Sequence, residues 1–103
     1  MEKRNIFYGR SSTNKQELSA ELQLNEVEEK FGKMSAIFFD KGISGDAKIS
    51  KREALIEAID ELSKGDPLYI YSFSRVARDS FLQLWIEREV KSRKANLISA
   101  TEE

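Results

Sequence analysis

The chain has 103 residues, 40% of them apolar and 10% aromatic, which is enough for one domain with a core and cramped for two. It carries 18 acidic and 17 basic residues, a formal net charge of −1, and neither His nor Cys. Those absences exclude disulfides, thiol nucleophiles, thiolate metal sites, Ser-His-Asp triads and imidazole zinc sites. Any chemistry must come from hydroxyls, carboxylates, Lys, Arg or Tyr. No apolar run approaches the roughly 18 residues of a membrane-spanning helix, and the opening MEKRNIF lacks the apolar stretch of a secretory signal.

Ile6-Phe7-Tyr8 is short, aromatic and ends at Gly9, the pattern of a strand. Arg10 to Lys15 is polar and leaves the strand as a loop. From Ser19 the spacing becomes helical: Ala20, Leu24, Val27 and Phe31 recur on one face with Leu22 alongside, and Gly32 can close the helix. Ala36–Phe39 is a second strand ending at Asp40. The segment Lys41–Asp46 holds two glycines and reads as a loop. Ser50 and Glu53 have capping-box spacing, which predicts a helix starting there, with Leu55, Ile56, Ile59 and Leu62 inward and Gly65 as its stop. Leu68–Tyr71 is a third strand, with Pro67 where a missing N–H is tolerated. Phe73–Arg78 is a turn or short helix. A longer helix follows with Phe81, Leu82, Trp85, Ile86 and Val90 inward, and Ala95–Ala100 is a fourth strand.

Strands alternating with helices predict an α/β fold: three layers, a mostly parallel sheet of four to five strands, and helices on both faces. In such sheets the working site lies beyond the carboxyl ends of the strands. Arg10, Ser12, Asp40, Ser44, Ser74, Arg75 and Arg78 all follow strand ends, so chain order alone gathers them on one edge. Guanidinium groups match the geometry and charge of phosphate. Several of them around a Ser hydroxyl suit attack by that hydroxyl on a phosphodiester, with the arginines neutralising charge on the non-bridging oxygens. Covalent catalysis by Ser needs a base; without His, that falls to a carboxylate, water or an Arg, and the residue pattern does not choose among them. A plainer reading stands beside this one. Ser11, Ser12 and Thr13 are ordinary turn or N-cap residues, Arg75 and Arg78 can be a solvated helix start paired with Asp79, and Asp40 a turn residue. The Gly42–Gly45 loop lacks the length and the Lys of a P-loop.

Four segments then carry a resemblance. Tyr8-Gly9-Arg10-Ser11-Ser12-Thr13 resembles the Y-x-R-x-S-T opening of the serine recombinases, the resolvase/invertase family. Asp40-Lys41-Gly42-Ile43-Ser44-Gly45 is similar to that family's D-x-x-x-S-G, and Arg52-Glu53-Ala54-Leu55 to its R-E-x-L. Ser74-Arg75-Val76-Ala77-Arg78-Asp79 resembles its D-R-L-x-R-d. Order and spacing hold from Asn5 to about Thr101. The resemblance implies that Ser12 is the nucleophile that cuts DNA, leaving a 5′-phosphoseryl link and a free 3′-hydroxyl. It implies that Arg10, Arg75 and Arg78 hold the scissile phosphate, with Arg52 as an auxiliary cation. Asp40 would sit in the same site and orient an Arg or the hydroxyl. Gln16 and Gln23 fall near two supporting glutamines of the family, the second only with a small insertion around Ser19. Tyr8, Ser44 and Ser74 would support the site from behind. Members need no metal and no nucleotide cofactor, act on double-stranded DNA as dimers and tetramers, and work in the cytoplasm of a prokaryotic cell on its own DNA or that of a phage or mobile element.

Two departures follow from the same comparison. Ser74 stands where the family usually has Asp, which removes an orienter of Arg or a proton acceptor. Residues 1–103 correspond to the catalytic domain alone, without the family's dimerisation helix and C-terminal DNA-binding region, so the isolated domain is expected to be inactive. Charge fits that division. Glu17–Asp40 carries six acidic and two basic residues, whereas Arg75–Lys94 carries six basic and three acidic, a basic stretch that includes the expected phosphate site. The alternative is a recombinase-like assembly or regulatory module impaired by Ser74. A receiver-like domain ranks below both, because only Asp40 supplies the acidic cluster it needs.

Overall fold

The computed structural model describes residues 4–101. Its elements are β1 (Ile6–Ser11), α1 (Ala20–Phe31), β2 (Ala36–Lys41), α2 (Glu53–Glu61), β3 (Pro67–Ile70), a one-turn α3 (Phe73–Val76), α4 (Ser80–Ser92) and β4 (Asn96–Ser99). A 3-10 turn, Ile49–Lys51, precedes α2. All four strands are parallel, in the order β2-β1-β3-β4.

Successive side chains of a strand leave opposite faces of a sheet, and the core divides accordingly. Ile6, Tyr8, Leu68 and Ile70 pack with Leu55 and Ile59 of α2 and with Ile86 and Val90 of α4. Phe7 and Tyr69 point the other way, onto Leu24, Val27 and Phe31 of α1. The result is the expected three-layer α/β arrangement with helices on both faces. β1 and β3 lie centrally and are buried along their whole length, which is why Ile6-Phe7-Tyr8 and Pro67-Leu68-Tyr69-Ile70 are apolar runs without polar alternation. Pro67 takes the first position of β3, where it costs the ladder least.

Helix α1 begins and ends as its sequence predicts. The Ser19 hydroxyl accepts from the Leu22 amide at 3.2 Å, and Gly32 closes the helix at φ +98°. Leu22 itself is exposed. The start of α2 differs from expectation. Ser50 lies in the 3-10 turn, the helix begins at Glu53, and no capping box forms. Its first amides are capped from another strand: Asp40 carboxylate oxygens accept from Ala54 at 3.0 Å and Leu55 at 3.2 Å. The buried stripe of α2 is Ala54, Leu55, Ala58 and Ile59. Ile56 is rotated by about 100° from Leu55 and lies at the rim. In α4 the inward residues are Ile86 and Val90, flanked by half-buried Leu82 and Trp85. Phe81, expected inward, is 82% exposed, because it precedes Leu82 by one position and so faces about 100° away from the buried stripe.

Candidate active site

In the order β2-β1-β3-β4 the chain steps from β1 to one side and then returns past it to β3. The carboxyl ends of β1 and β3 therefore flank the reversal point, where doubly wound sheets open a crevice. Three segments meet there: the end of β1 with the loop to Leu18, the end of β2 with the loop to Lys48, and Ser72 to Asp79 after β3.

Arg10 fastens these segments together. It occupies a β1 position paired with Asp40 of β2 and is 1% exposed. Its Nε donates to the Arg75 carbonyl and its Nη1 to the Ile43 carbonyl, both at 2.6 Å. Its Nη2 reaches Glu17 Oε2 at 3.4 Å. Arg52 does similar work one layer deeper. It is fully buried and donates to the carbonyls of Ala47 (3.0 Å), Gly45 (2.9 Å), Ser44 (3.4 Å) and Val76. A cation held this way contributes field to the site and shape to the 44–47 loop; its donors are already engaged. Beneath it, the Tyr8 hydroxyl donates to Asp40 at 2.8 Å. Burial is the largest cause pushing the Tyr8 phenol far above its usual value; the Asp40 charge and hydrogen bond add to this, and Arg52 opposes it. The phenol thus stays a donor. Asp40 accepts from Tyr8 and from the start of α2, and among the described residues no hydrogen bond or ion pair joins it to Ser12 or to an Arg side chain.

The Ser44–Gly45 turn is pressed between arginines. A Cβ on Gly45 would lie 3.2 Å from Arg78 Cγ and 3.5 Å from Arg10 Nη2. The Gly45 carbonyl accepts from the Arg78 amide at 3.2 Å as well as from Arg52. The Arg78 guanidinium is exposed and stands 4.0 Å from Asp46. Asp79 does not pair with it; its carboxylate caps α4 by accepting from the Phe81 amide at 2.9 Å. Arg75 is half-buried. Its backbone is tied down at both ends, the amide donating to Ser72 Oγ and the carbonyl accepting from Arg10. No hydrogen bond or ion pair engages its guanidinium among the described residues. Arg10, Arg52, Arg75 and Arg78 are thus gathered at one edge.

Ser12 is the first residue beyond β1 and is half-buried. Its hydroxyl accepts from the Asn14 amide at 3.1 Å, and its own amide donates to Glu17 Oε1 at 2.8 Å. Gln23 is fully buried on α1, where its Nε2 donates to the carbonyls of Arg10 (2.9 Å) and Leu18 (3.0 Å). It supports the end of β1 from the opposite face of the sheet. The Ser44 hydroxyl accepts from the Asp46 amide within its own turn. Ser74 is exposed, and its hydroxyl lies 3.4 Å from Ser72 Oγ. Gln16 is exposed; its amide donates to Asn14 Oδ1, and no hydrogen bond of its side chain joins it to the other site residues. A groove of about 390 Å³ lies beside the cluster between Asp46–Ile49 and the start of α4, and none of the arginines lines it.

One residue of the site has no motif to announce it. Glu17 reaches back over five residues to Ser12 and touches Arg10, and its side chain is 9% exposed. Burial pushes its carboxyl up, but the Ser12 amide and the Arg10 guanidinium outweigh that and hold it below the usual Glu range. In the sequence it is one acid among six in an acidic stretch. Its only signal is position: a carboxylate in the loop that leaves a strand end bearing an Arg and a Ser.

A serine and four arginines thus stand at the carboxyl edge of an all-parallel α/β sheet, where such sheets place their crevice. Residues 5–103 match the family model described as Resolvase, N terminal domain, and the chain belongs to that family. No curated protein matches it in sequence. Among solved structures it is similar to a serine recombinase from Sulfolobus solfataricus, with 20% identity, TM-score 0.75, and 99% of this chain and 71% of that one covered. It is also similar to the N-terminal catalytic domain of TP901-1 integrase, with 24% identity, TM-score 0.69, and coverage of 95% and 77%. A third is the first open reading frame of transposon ISC1904 from Sulfolobus solfataricus P2, with 21% identity, TM-score 0.72, and coverage of 97% and 69%. These likenesses bear out the expected fold.

Proposed function

We propose that the chain is the catalytic domain of a site-specific DNA recombinase and that Ser12 is its nucleophile. Ser12 Oγ attacks the phosphorus of a DNA phosphodiester and the 3′ oxygen leaves. One P–O bond forms as another breaks, and the proton lost by the serine is matched by the one the 3′-hydroxyl gains. The bond energy is kept in a 5′-phosphoserine, so the reverse attack by a 3′-hydroxyl reseals the strand. Arg75 and Arg78 bind the non-bridging oxygens, joined by Arg10, and stabilise the charge that develops on them. Arg52, Asp40, Tyr8, Ser44 and Gln23 keep the loops that carry these groups in register, while Gln16 and Ser74 flank them at the surface. The partners are double-stranded DNA and further copies of the protein. No metal or nucleotide is required.

The observation that carries this reading is the convergence on one sheet edge of the buried, carbonyl-anchored Arg10, of Arg75, whose guanidinium is unengaged among the described residues, and of the exposed Arg78, with Ser12 two residues beyond Arg10. A nicked duplex that traps the cleaved strand tests it. The full-length protein should form a covalent protein–DNA adduct that disappears in Ser12→Ala. The second reading, an impaired assembly module, draws on the surface position of Ser74, whose hydroxyl meets Ser72 Oγ and no other side chain among the described residues. It predicts duplex binding without adduct in the wild type and an adduct in Ser74→Asp.

A further inference from the structure

The Ser12–Glu17 loop closes on itself. The Asn14 amide donates to Ser12 Oγ, the Gln16 amide to Asn14 Oδ1, the Glu17 amide to the Asn14 carbonyl, and the Ser12 amide to Glu17 Oε1. The ring would close without a charged residue, yet its last member is a carboxylate whose other oxygen lies against Arg10. Arg10 has spent Nε and Nη1 on carbonyls, so Glu17 takes the remaining end of its guanidinium. That contact, at 3.4 Å, is longer than the roughly 2.7–2.9 Å of a well-formed charge-assisted bond. Glu17 therefore places one negative charge and two oxygens across two donors, a backbone amide and a guanidinium. A phosphodiester also offers one negative charge and paired oxygens.

We propose that Glu17 is a positioning residue that holds the place of the incoming phosphodiester. In the DNA-free chain its carboxylate occupies the Ser12 amide and Arg10 Nη2; on binding it yields both to phosphate oxygens. The exchange is one anion for another, so Arg10 is never left buried without a counter-charge. It also opens the ring that keeps Ser12 Oγ turned toward the Asn14 amide. This rests on the recombinase reading for the identity of the ligand, but its signature is a ratio of anion affinities that needs no DNA cleavage.

Inorganic sulfate is the probe, followed through the amide resonances of ¹⁵N-labelled protein at constant ionic strength. Glu17→Gln retains an acceptor for the Ser12 amide and removes the charge. Sulfate carries two charges, so a unit charge about 4–6 Å from it, in a water-like dielectric, is worth about a ten- to thirty-fold change in affinity. Glu17→Gln should therefore bind sulfate about ten- to thirty-fold more tightly than wild type. Saturating sulfate should move the Ser12 amide resonance of the wild type, since that donor changes acceptor. Glu17→Ala, which loses the acceptor too, should also bind more tightly and already show a displaced Ser12 amide without sulfate. Equal or weaker binding by both variants overturns the proposal. So does a saturated wild type whose Ser12 amide has not moved, and so does the absence of saturable binding in all three proteins. A protein that forms the Ser12 adduct but fails this comparison keeps the recombinase reading and loses this one. Tighter binding by the variants, with no adduct in the full-length protein, has the opposite meaning.

Discussion

Replacing Asp40 with Ala measures how much of this edge is architecture. The carboxylate is 7% exposed and accepts three hydrogen bonds, from the Tyr8 hydroxyl and the Ala54 and Leu55 amides. Loss of a helix cap costs about 1 kcal/mol and up to about 2. A buried hydroxyl left without its acceptor adds about 1–3 kcal/mol. The neighbouring Arg52 is fully buried and donates to four carbonyls, so removing a nearby negative charge leaves it less compensated. The total is about 3–5 kcal/mol, a large share of the roughly 5–15 kcal/mol that holds a domain together. At about 4–8 °C per kcal/mol for a chain of this size, the melting temperature should fall by more than about 12 °C. Urea unfolding followed by circular dichroism, with half-buried Trp85 of α4 as a second probe, reads the change. Asp46→Ala is the control: its 4.0 Å pair with Arg78 is exposed on both sides, and the substitution should stay within about 0.5 kcal/mol. If Asp40→Ala costs less than about 1 kcal/mol, the cross-strand cap is not what starts α2, and Asp40 is free for the chemistry.

Other substitutions probe separate parts of the reasoning. In Gly9→Ala the new methyl would lie 2.8 Å from the Phe7 ring and 3.3 Å from Gln23 Oε1, both inside the core; overpacking of about 1–3 kcal/mol should appear as a lower denaturation midpoint at unchanged slope. Phe81→Ser removes a ring that is 82% exposed, so chemical denaturation should place it within about 0.5 kcal/mol of wild type, whereas an inward Phe81 would cost several times that. Stability against pH tests Glu17. Its folded carboxyl is held below the ordinary value of 4.5, so its contribution is fully present above that value and is lost as pH falls through the lowered one. The wild-type curve should drop more steeply there than that of Glu17→Gln, and parallel curves would contradict the Arg10 and Ser12 contacts.

Much of this could be read along the chain because it is local. The Ser19 cap, the helical spacing of Ala20, Val27 and Phe31 and the Gly32 stop are satisfied within one helix. The strand-end placement of Arg10, Ser12, Asp40, Arg75 and Arg78 follows from element order and the rule that parallel sheets are crossed in one hand. The misreadings share a different cause. Ser50 and Glu53 have capping-box spacing, but Arg52 between them is drawn inward by four carbonyls and the cap arrives from Asp40, on another strand. Phe81 belongs to an apolar run, and only the angle at which α4 meets the sheet separates it from Leu82.

The sequence by itself determined the class of fold, the edge on which the site forms and the chemical types gathered there, since these depend on periodicity and order. Tertiary structure decided what each charge does. Arg10 and Arg52 look alike in the sequence with Arg75 and Arg78, yet the first two are buried and largely spent on carbonyls, while Arg78 is exposed and the half-buried Arg75 has its guanidinium unengaged among the described residues. Glu17 looks like any acid of a solvated stretch, yet it closes on Ser12 and Arg10. A hydrogen bond depends on the position of both partners to within a few tenths of an ångström, and for residues on different loops those positions are set only once the sheet has assembled.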